Sequence, residues 1–242
     1  MALKAVLFDF NGIIINDEPI HEQLIDQILI AENLRPKRGE FRKFCVGRSD
    51  RACLSDLFSR RGRVLTESYL NQLISRKAQA YQERIAEMSE LPIYPGLEEF
   101  ILKLQAANLK IGVVTGALGS EVEVVLSRAN LAHYFSVIAS SDDLKVSKPE
   151  PDGYLLAIEL LNQEFENLDL QPSECLAIED TPAGITAAKR AGMQVVGVAN
   201  TYPFHIMQRQ ANWSVDYFWD LELERLQQVF SQEKFQPSVT EC

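Results

Sequence analysis

Five side chains set far apart in the chain could act together: Asp9, Thr115, Lys148, Glu179 and Asp180. Carboxylates are the hard oxygen donors that a divalent cation such as Mg²⁺ prefers, while an ammonium and a hydroxyl hold phosphoryl oxygens. Gathered in one place, three acids, one hydroxyl and one lysine would bind a cation and a phosphate. In an open parallel sheet, ligands bind beyond the carboxyl ends of the strands. Asp9 closes one strand-like run, Thr115 a second and Glu179-Asp180 a fourth, while Lys148 lies in a loop after the third. Alone, each has a plainer reading: an Asp after a strand is commonly a turn or cap, and Asp180-Thr181-Pro182 fits a helix N-terminus.

The elements that must position these groups follow from periodicity. Ala5 to Phe8 is a continuous apolar run suited to a strand buried on both faces. From Ile20 to about Met88 the spacing is helical, with stripes at Leu24, Ile25, Ile28, Leu29 and at Leu70, Leu73, Ile74. After Pro95-Gly96, helices (Leu97–Ala107, Glu121–Ala129, Tyr154–Asn162, Ala183–Ala191) alternate with strands (Ile111–Thr115, Val137–Ala139, Cys175–Ile178, Val195–Val198). Single helices between strands imply right-handed crossovers and a parallel sheet. The expected class is therefore α/β, a Rossmann-like parallel sheet with an inserted α-helical domain. The expected division is 1–18 and 93–242 for the core and 19–92 for the insertion. Trp213, Tyr217, Phe218 and Trp219 are expected to pack the C-terminal segment on the core, and the polar tail from about Gln232 to fray.

Composition narrows the function. The 242 residues carry 24 Lys plus Arg against 34 Asp plus Glu, a net charge of −10, which argues against wholesale binding to nucleic acid or an anionic membrane. The surplus is uneven: residues 19–92 hold 13 basic against 10 acidic residues, leaving 11 against 24 elsewhere. A mildly basic insertion over an acidic core would offer positive charge where a small anion enters. Cys45, Cys53, Cys175 and Cys242 form no CxxC pair, so neither a disulfide framework nor a zinc site is expected, and a reducing cytoplasm is the simplest location. No apolar stretch approaches the length of a membrane span.

Asp9-Phe10-Asn11-Gly12, Val114-Thr115-Gly116, Ser147-Lys148-Pro149-Glu150-Pro151-Asp152-Gly153 and Ile178-Glu179-Asp180-Thr181-Pro182-Ala183-Gly184 resemble the four ordered motifs of the haloacid dehalogenase (HAD) superfamily. Within it, the chain is similar to the β-phosphoglucomutase-like phosphatases with a helical cap inserted after the first motif. The resemblance implies that Asp9 is a nucleophile taking up the phosphoryl group as an aspartyl-phosphate. It implies Mg²⁺ held by Asp9, the backbone carbonyl of Asn11, Asp180 and Glu179. Thr115 with the amides of Gly116 and Ala117 would bind the transferring phosphate, and Lys148 would neutralise it. In the cap, Val46-Gly47-Arg48-Ser49 resembles the loop that faces the site, which makes Gly47, Arg48 and, from the first cap helix, His21 candidate substrate contacts.

One position departs from the pattern. The family usually has a second Asp where Asn11 stands, and that Asp exchanges a proton with the leaving oxygen. An amide cannot, and losing a positioned acid/base typically costs about 10²–10⁴ in rate. Either Asp17, Glu18 or His21 supplies the proton, or the leaving group needs little protonation, or the chain is a weak enzyme, altered by mutagenesis or otherwise. The expected function is a Mg²⁺-dependent phosphatase of a small phosphorylated metabolite such as a sugar phosphate. The alternatives are a β-phosphoglucomutase-type mutase or a phosphometabolite-binding protein. No nucleic-acid or membrane partner is expected, and the oligomeric state stays open, a monomer being compatible.

Overall fold

The computed structural model describes residues 2–232, so the expected fraying of the tail and the fate of Cys242 lie outside the described residues. Six strands, β1 (Ala5–Phe8), β2 (Lys110–Val114), β3 (Val137–Ala139), β4 (Cys175–Glu179), β5 (Gln194–Val198) and β6 (Trp213–Val215), form one sheet in the order β3-β2-β1-β4-β5-β6. Every pairing is parallel. The apolar run Ala5–Phe8 is central because it must bury both faces. Val6 and Phe8 join the cluster under α5 (Leu97–Ala106) and α6 (Gly119–Arg128). Ala5 and Leu7 join the opposite cluster, under α7 (Asp152–Glu164) and α8 (Pro182–Arg190). Burying each such large side chain stabilises the fold by roughly 1.5–3 kcal/mol.

Register sets up the chemistry. Phe8 lies opposite Val113 on one side and Ile178 on the other, so the next residues along, Asp9, Val114-Thr115 and Glu179-Asp180, emerge side by side at one rim. The sixth strand escaped sequence reading because it is three half-buried residues long. The aromatic cluster beside it divides. Phe218 is buried and Trp213 stacks on Phe230, whereas Tyr217 and Trp219 are exposed and stack on each other, contrary to the expectation that all four pack inward.

Between β1 and α5 the chain runs through four helices, α1 (Glu18–Ala31), α2 (Glu40–Phe44), α3 (Asp50–Ser59) and α4 (Glu67–Glu87). The side chains of Ser49 and Thr66 cap α3 and α4. Both expected stripes are buried, and apart from Leu24 they form a third cluster with Leu54, Leu57 and Phe58. Leu24 of α1 and Tyr81 and Ile85 of α4 belong instead to the cluster that covers β1. The insertion thus has its own small core and is keyed to the sheet through these residues. No described helix is long and apolar enough to cross a membrane.

One expectation is overturned here. Cys45 and Cys53 form a disulfide that bridges the loop between α2 and α3, with Cα atoms 4.6 Å apart. Their spacing carries no sequence signature, because it is the fold of α2 against α3 that brings the two sulfurs together. Cysteine usage therefore gives no support to a reducing compartment.

Candidate active site

The rim of the sheet gathers all five side chains. Asp9 Oδ1 receives the backbone N–H of Phe10 at 2.7 Å and lies 2.9 Å from Lys148 Nζ. The same ammonium reaches Glu179 Oε1 at 2.7 Å and the carbonyl of Val114 at 3.0 Å. Burial alone would lower the lysine's pKa, but Asp9 and Glu179 outweigh it and hold Lys148 in its charged form. Thr115, 2% exposed, accepts the N–H of Ala117 on its hydroxyl oxygen at 3.0 Å, which leaves its proton to donate elsewhere.

Asp9, Glu179 and Asp180 each offer an oxygen within 4.8 Å of the others'. Both Asp180 oxygens are buried without a hydrogen-bond donor, since the neighbouring Thr201 hydroxyl gives its proton to Glu18 Oε1 at 2.9 Å. Burial, then repulsion from Glu18, Asp9 and Glu179, pushes Asp180 well above the usual carboxylate range. Glu179 is pushed up to about 7 by burial and Asp9, with Lys148 opposing. Ionised together, three carboxylates against one ammonium would leave two negative charges uncompensated, which is why burial resists their ionisation and why the set suits a divalent cation. Gly12 gives the space: at φ +77°, it carries no Cβ, and one there would sit 1.9 Å from Asp180 Oδ2. The capping role that Asp180 could have had falls to Thr181, whose hydroxyl accepts the N–H of Gly184.

Asn11 has a different kind of partner. Its Nδ2 lies 3.0 Å from each oxygen of Asp17 and 3.1 Å from His21 Nε2. Asp17 is fully buried and also accepts from the Tyr81 hydroxyl, while His21 stacks on the Tyr81 ring at 4.7 Å. Burial works against the Asp17 anion, yet His21, Tyr81 and Asn11 together hold its carboxyl below the usual range. Burial and Lys77 work against the imidazolium, yet Asp17 holds His21 above its usual value. The negative charge that a second Asp would bring to position 11 stands one layer back, at Asp17.

The helical insertion sits down on this rim. Ser49 N–H donates to Ser147 Oγ at 2.8 Å, and Arg42 Nη2 donates to the carbonyl of Thr201 at 2.9 Å. Gly47, at φ +75°, packs so close to Thr181 that a Cβ would meet its hydroxyl at 2.8 Å. Gly116 is equally close to the backbone of Arg48. Asp9, Asn11, His21, Arg48, Lys77 and Lys148 line a cavity of about 50 Å³, together with both cysteines of the disulfide. That is room for a few waters and not for a sugar ester.

Of the sequence-derived candidates, Asp9, Asn11, His21, Gly47, Arg48, Gly116, Ala117 and Lys148 line the cavity, Glu179 and Asp180 stand behind it beside Asp9, and the basic insertion does not present free positive charge to it. Arg48 Nη1 is bound to Asp56 Oδ2 at 2.6 Å and to the carbonyl of Phe44. Lys77, 2% exposed, lies 2.7 Å from Asp50 and 3.1 Å from Glu121. Neither Asp50 nor Glu121 stands out in the sequence. The helical phase of α4, which puts Lys77 and Tyr81 on one face, is the signal that could have found their partners.

With this geometry in hand, known proteins supply the family. The model of the haloacid dehalogenase-like hydrolases matches residues 6–198. This chain belongs to that family. It is 28% identical over 246 residues to the β-phosphoglucomutase of Bacillus subtilis (strain 168), covering 98% of this chain and 100% of that one. It is 31% identical over 208 residues to the validoxylamine A 7'-phosphate phosphatase of Streptomyces hygroscopicus subsp. limoneus, covering 82% of this chain and 87% of that one. The fold is also that of the β-phosphoglucomutase crystal structure from Clostridium difficile, with a TM-score of 0.83, 24% identity and coverage of 96% and 98%. The helical insertion after β1 thus corresponds to the family's cap.

Proposed function

We propose that this chain is a metal-dependent phosphatase that hydrolyses a small phosphorylated metabolite, a sugar phosphate in class, through an aspartyl-phosphate on Asp9. One observation carries the reading: the Asp9 carboxylate, fixed through Oδ1 by Lys148 and the Phe10 amide, stands beside the buried Glu179, which shares that ammonium, and the buried Asp180, whose two oxygens have no donor. The names of the relatives, a phosphoglucomutase and a phosphatase of a phosphate ester, support the same class.

With Oδ1 engaged, the second oxygen of Asp9 attacks phosphorus and the bond to the leaving oxygen breaks. Thr115 and Lys148 donate to the phosphoryl oxygens, joined by the Gly116 amide and by the Ala117 amide once it leaves the Thr115 hydroxyl that accepts it here. Water then attacks phosphorus, restoring Asp9 and releasing phosphate. The residues present fit Mg²⁺, which Asp9, Asp180, the Asn11 carbonyl and Glu179 would hold, and which would neutralise charge on the phosphoryl group. Asn11 does not exchange protons, so leaving groups that need little protonation are favoured over the double transfer of a mutase. We assign residues 19–92 to the cap, which opens to admit substrate because the cavity of about 50 Å³ is too small for it. A cytoplasmic location, where such metabolites occur, belongs to this reading and is tested by cell fractionation.

The test is turnover of p-nitrophenyl phosphate in Mg²⁺ and in EDTA, with Asp9→Asn alongside. Turnover that needs Mg²⁺ and Asp9 supports the reading. Absence of turnover, with Mg²⁺-dependent binding of phosphate esters intact, would replace it with a binding protein.

A further inference from the structure

The disulfide stands in the wall of the catalytic cavity. Cys45 and Cys53, eight positions apart, both line it, together with Val46, Gly47, Arg48 and Asp50 from the segment between them. That segment also seats the cap on the sheet rim. Gly47 packs on Thr181, the backbone of Arg48 and Ser49 packs on Gly116, and the Ser49 N–H donates to Ser147 Oγ at 2.8 Å. Thr181 and Gly116 directly follow Asp180 and Thr115 in the chain, so the bridged segment rests on the backbone that carries the site. Asp50 adds an ion pair with Lys77, which in turn reaches Glu121 of the core.

The two ends of the segment are held unequally. Cys53 belongs to α3, which is capped by Ser49 and anchored by the buried Leu54, Leu57 and Phe58. Cys45 follows α2, a helix of five residues, and such a short helix is marginal without outside support. The bridge ties this weak end to the firm one. Arg48 makes a second tie, to Asp56 and the Phe44 carbonyl, but the ion pair is partly exposed and such pairs contribute little. Cys45 is 6% exposed and Cys53 1%, and the cavity is the approach that both share. Cys175 has no such approach: it is fully buried in β4, and burial pushes its thiol up to about 12, which makes it unreactive.

We infer that Cys45–Cys53 is a reversible redox modification site that controls how the cap seats: bridged, the chain is active, and reduced by a small thiol of the glutathione class, it loses activity. A donor thiolate attacks the sulfur of Cys45, the less buried residue; the S–S bond breaks and Cys53 leaves as a thiolate that takes up a proton. A second donor thiolate attacks the donor sulfur of the mixed disulfide, which releases Cys45 as a thiol and the donor as its own disulfide. Two donor thiols are oxidised for each bridge reduced, and exchange with the donor's disulfide reverses both steps. The freed segment then samples conformers in which Gly47 and Ser49 leave Thr181 and Ser147, so the cap closes on substrate less often. The inference rests on the phosphatase reading, because the cap opening that admits substrate also admits the thiol.

The experiment equilibrates the full chain in buffers of varied reduced-to-oxidised glutathione ratio. On each sample the open fraction of the bridge is read by alkylation and mass, the fold by far-UV circular dichroism, and kcat/KM for p-nitrophenyl phosphate is measured in Mg²⁺. Reduction should lower kcat/KM at least fivefold, in proportion to the open fraction, with the dichroism unchanged and full return on reoxidation. Saturating inorganic phosphate with Mg²⁺ should slow the reduction at least fivefold, because a closed cap covers the sulfurs. The paired variant Cys45→Ser, Cys53→Ser should match the reduced chain and ignore glutathione, whereas Cys175→Ala with Cys242→Ser should keep the response. If the paired serine variant does not fold, the titration of the unaltered chain decides. An unmoved kcat/KM, or a loss that only accompanies lost dichroism, makes the bridge a structural staple and overturns the inference. A response that survives the paired serine variant, or a reduction rate that phosphate leaves unmoved, overturns it too. In each of these cases Asp9-dependent turnover leaves the phosphatase reading standing. Turnover that survives Asp9→Asn, or none in the bridged chain, removes that reading and the inference with it.

Discussion

The sheet rim and the cap face each other across the same cavity, yet they treat charge in opposite ways. At the rim, Asp9 and Glu179 share one ammonium, and both oxygens of the neighbouring Asp180 go without a donor. In the cap, the buried charged groups are paired with one another or with the core. Arg61 holds Glu40 through two hydrogen bonds of 2.8 and 2.6 Å, Arg48 holds Asp56, and Lys77 has two carboxylate neighbours. Uncompensated burial is costly, so a region that keeps it does so for something that binds there. A region whose charges are matched contributes shape and exclusion instead. The rim is therefore the place for cation and phosphoryl chemistry, and the cap the place for selection.

The sharpest way to break this contrast is at Asp9. Asp9→Asn should lower turnover of p-nitrophenyl phosphate by about 10⁴-fold or more, because the nucleophile itself is gone. A smaller loss in steady-state assays would move the chemistry away from the rim. Next comes the cap's central ion cluster. Lys77→Met leaves Asp50 and Glu121 without their cation and should cost about 3–5 kcal/mol in unfolding free energy, read by urea denaturation. A loss under about 1 kcal/mol would mean that the cap's matching is not structural.

Asn11→Asp sharpens the boundary between the two regions. It should raise turnover of sugar phosphates relative to p-nitrophenyl phosphate by about 10²-fold, since only a poor leaving group needs the acid. An unmoved ratio in a folded, Mg²⁺-loaded variant would show that Asn11 does not limit the chemistry. Reduction of the Cys45–Cys53 bridge, which closes a short loop, should destabilise the cap by about 2–3 kcal/mol, with the paired serine variant reproducing the shift in melting temperature.

The smallest effect is a pH dependence. Hydrogen bonds from Arg61 hold the Glu40 carboxyl below its ordinary value, against burial and helped by the guanidinium's charge. A depressed carboxyl contributes stability above its unfolded pKa and loses it as pH falls through the folded value. The melting-temperature gap between the native chain and Glu40→Gln should therefore be constant at neutral pH and close on acidification below the usual glutamate range. A gap that widens there would refute the pairing.

Much of the rim was legible in the sequence. Parallel strands put their carboxyl ends at one edge, so a polar residue ending a buried apolar run has few other places to be, and Asp9, Thr115, Glu179 and Asp180 follow directly. Lys148 needed the motif around it. The cap was legible as helices and apolar stripes, and its buried stripes match the expected ones. Its chemistry was not. A surplus of three basic residues suggested a surface offering positive charge, but packing directs Arg48 to Asp56 and Lys77 to Asp50 and Glu121, partners 8, 27 and 44 positions away in sequence.

What the sequence by itself determined was the α/β order of elements, the strand ends that carry the acids, and the substitution at Asn11. These depend on local periodicity and on residue type, which the chain states directly. Only the tertiary structure decided that Thr181 rather than Asp180 caps α8, that Cys45 meets Cys53, and that the charge missing at Asn11 reappears at Asp17. Each of these depends on which side chain arrives at a given point from another element, and that is set by packing and not by neighbours in the sequence.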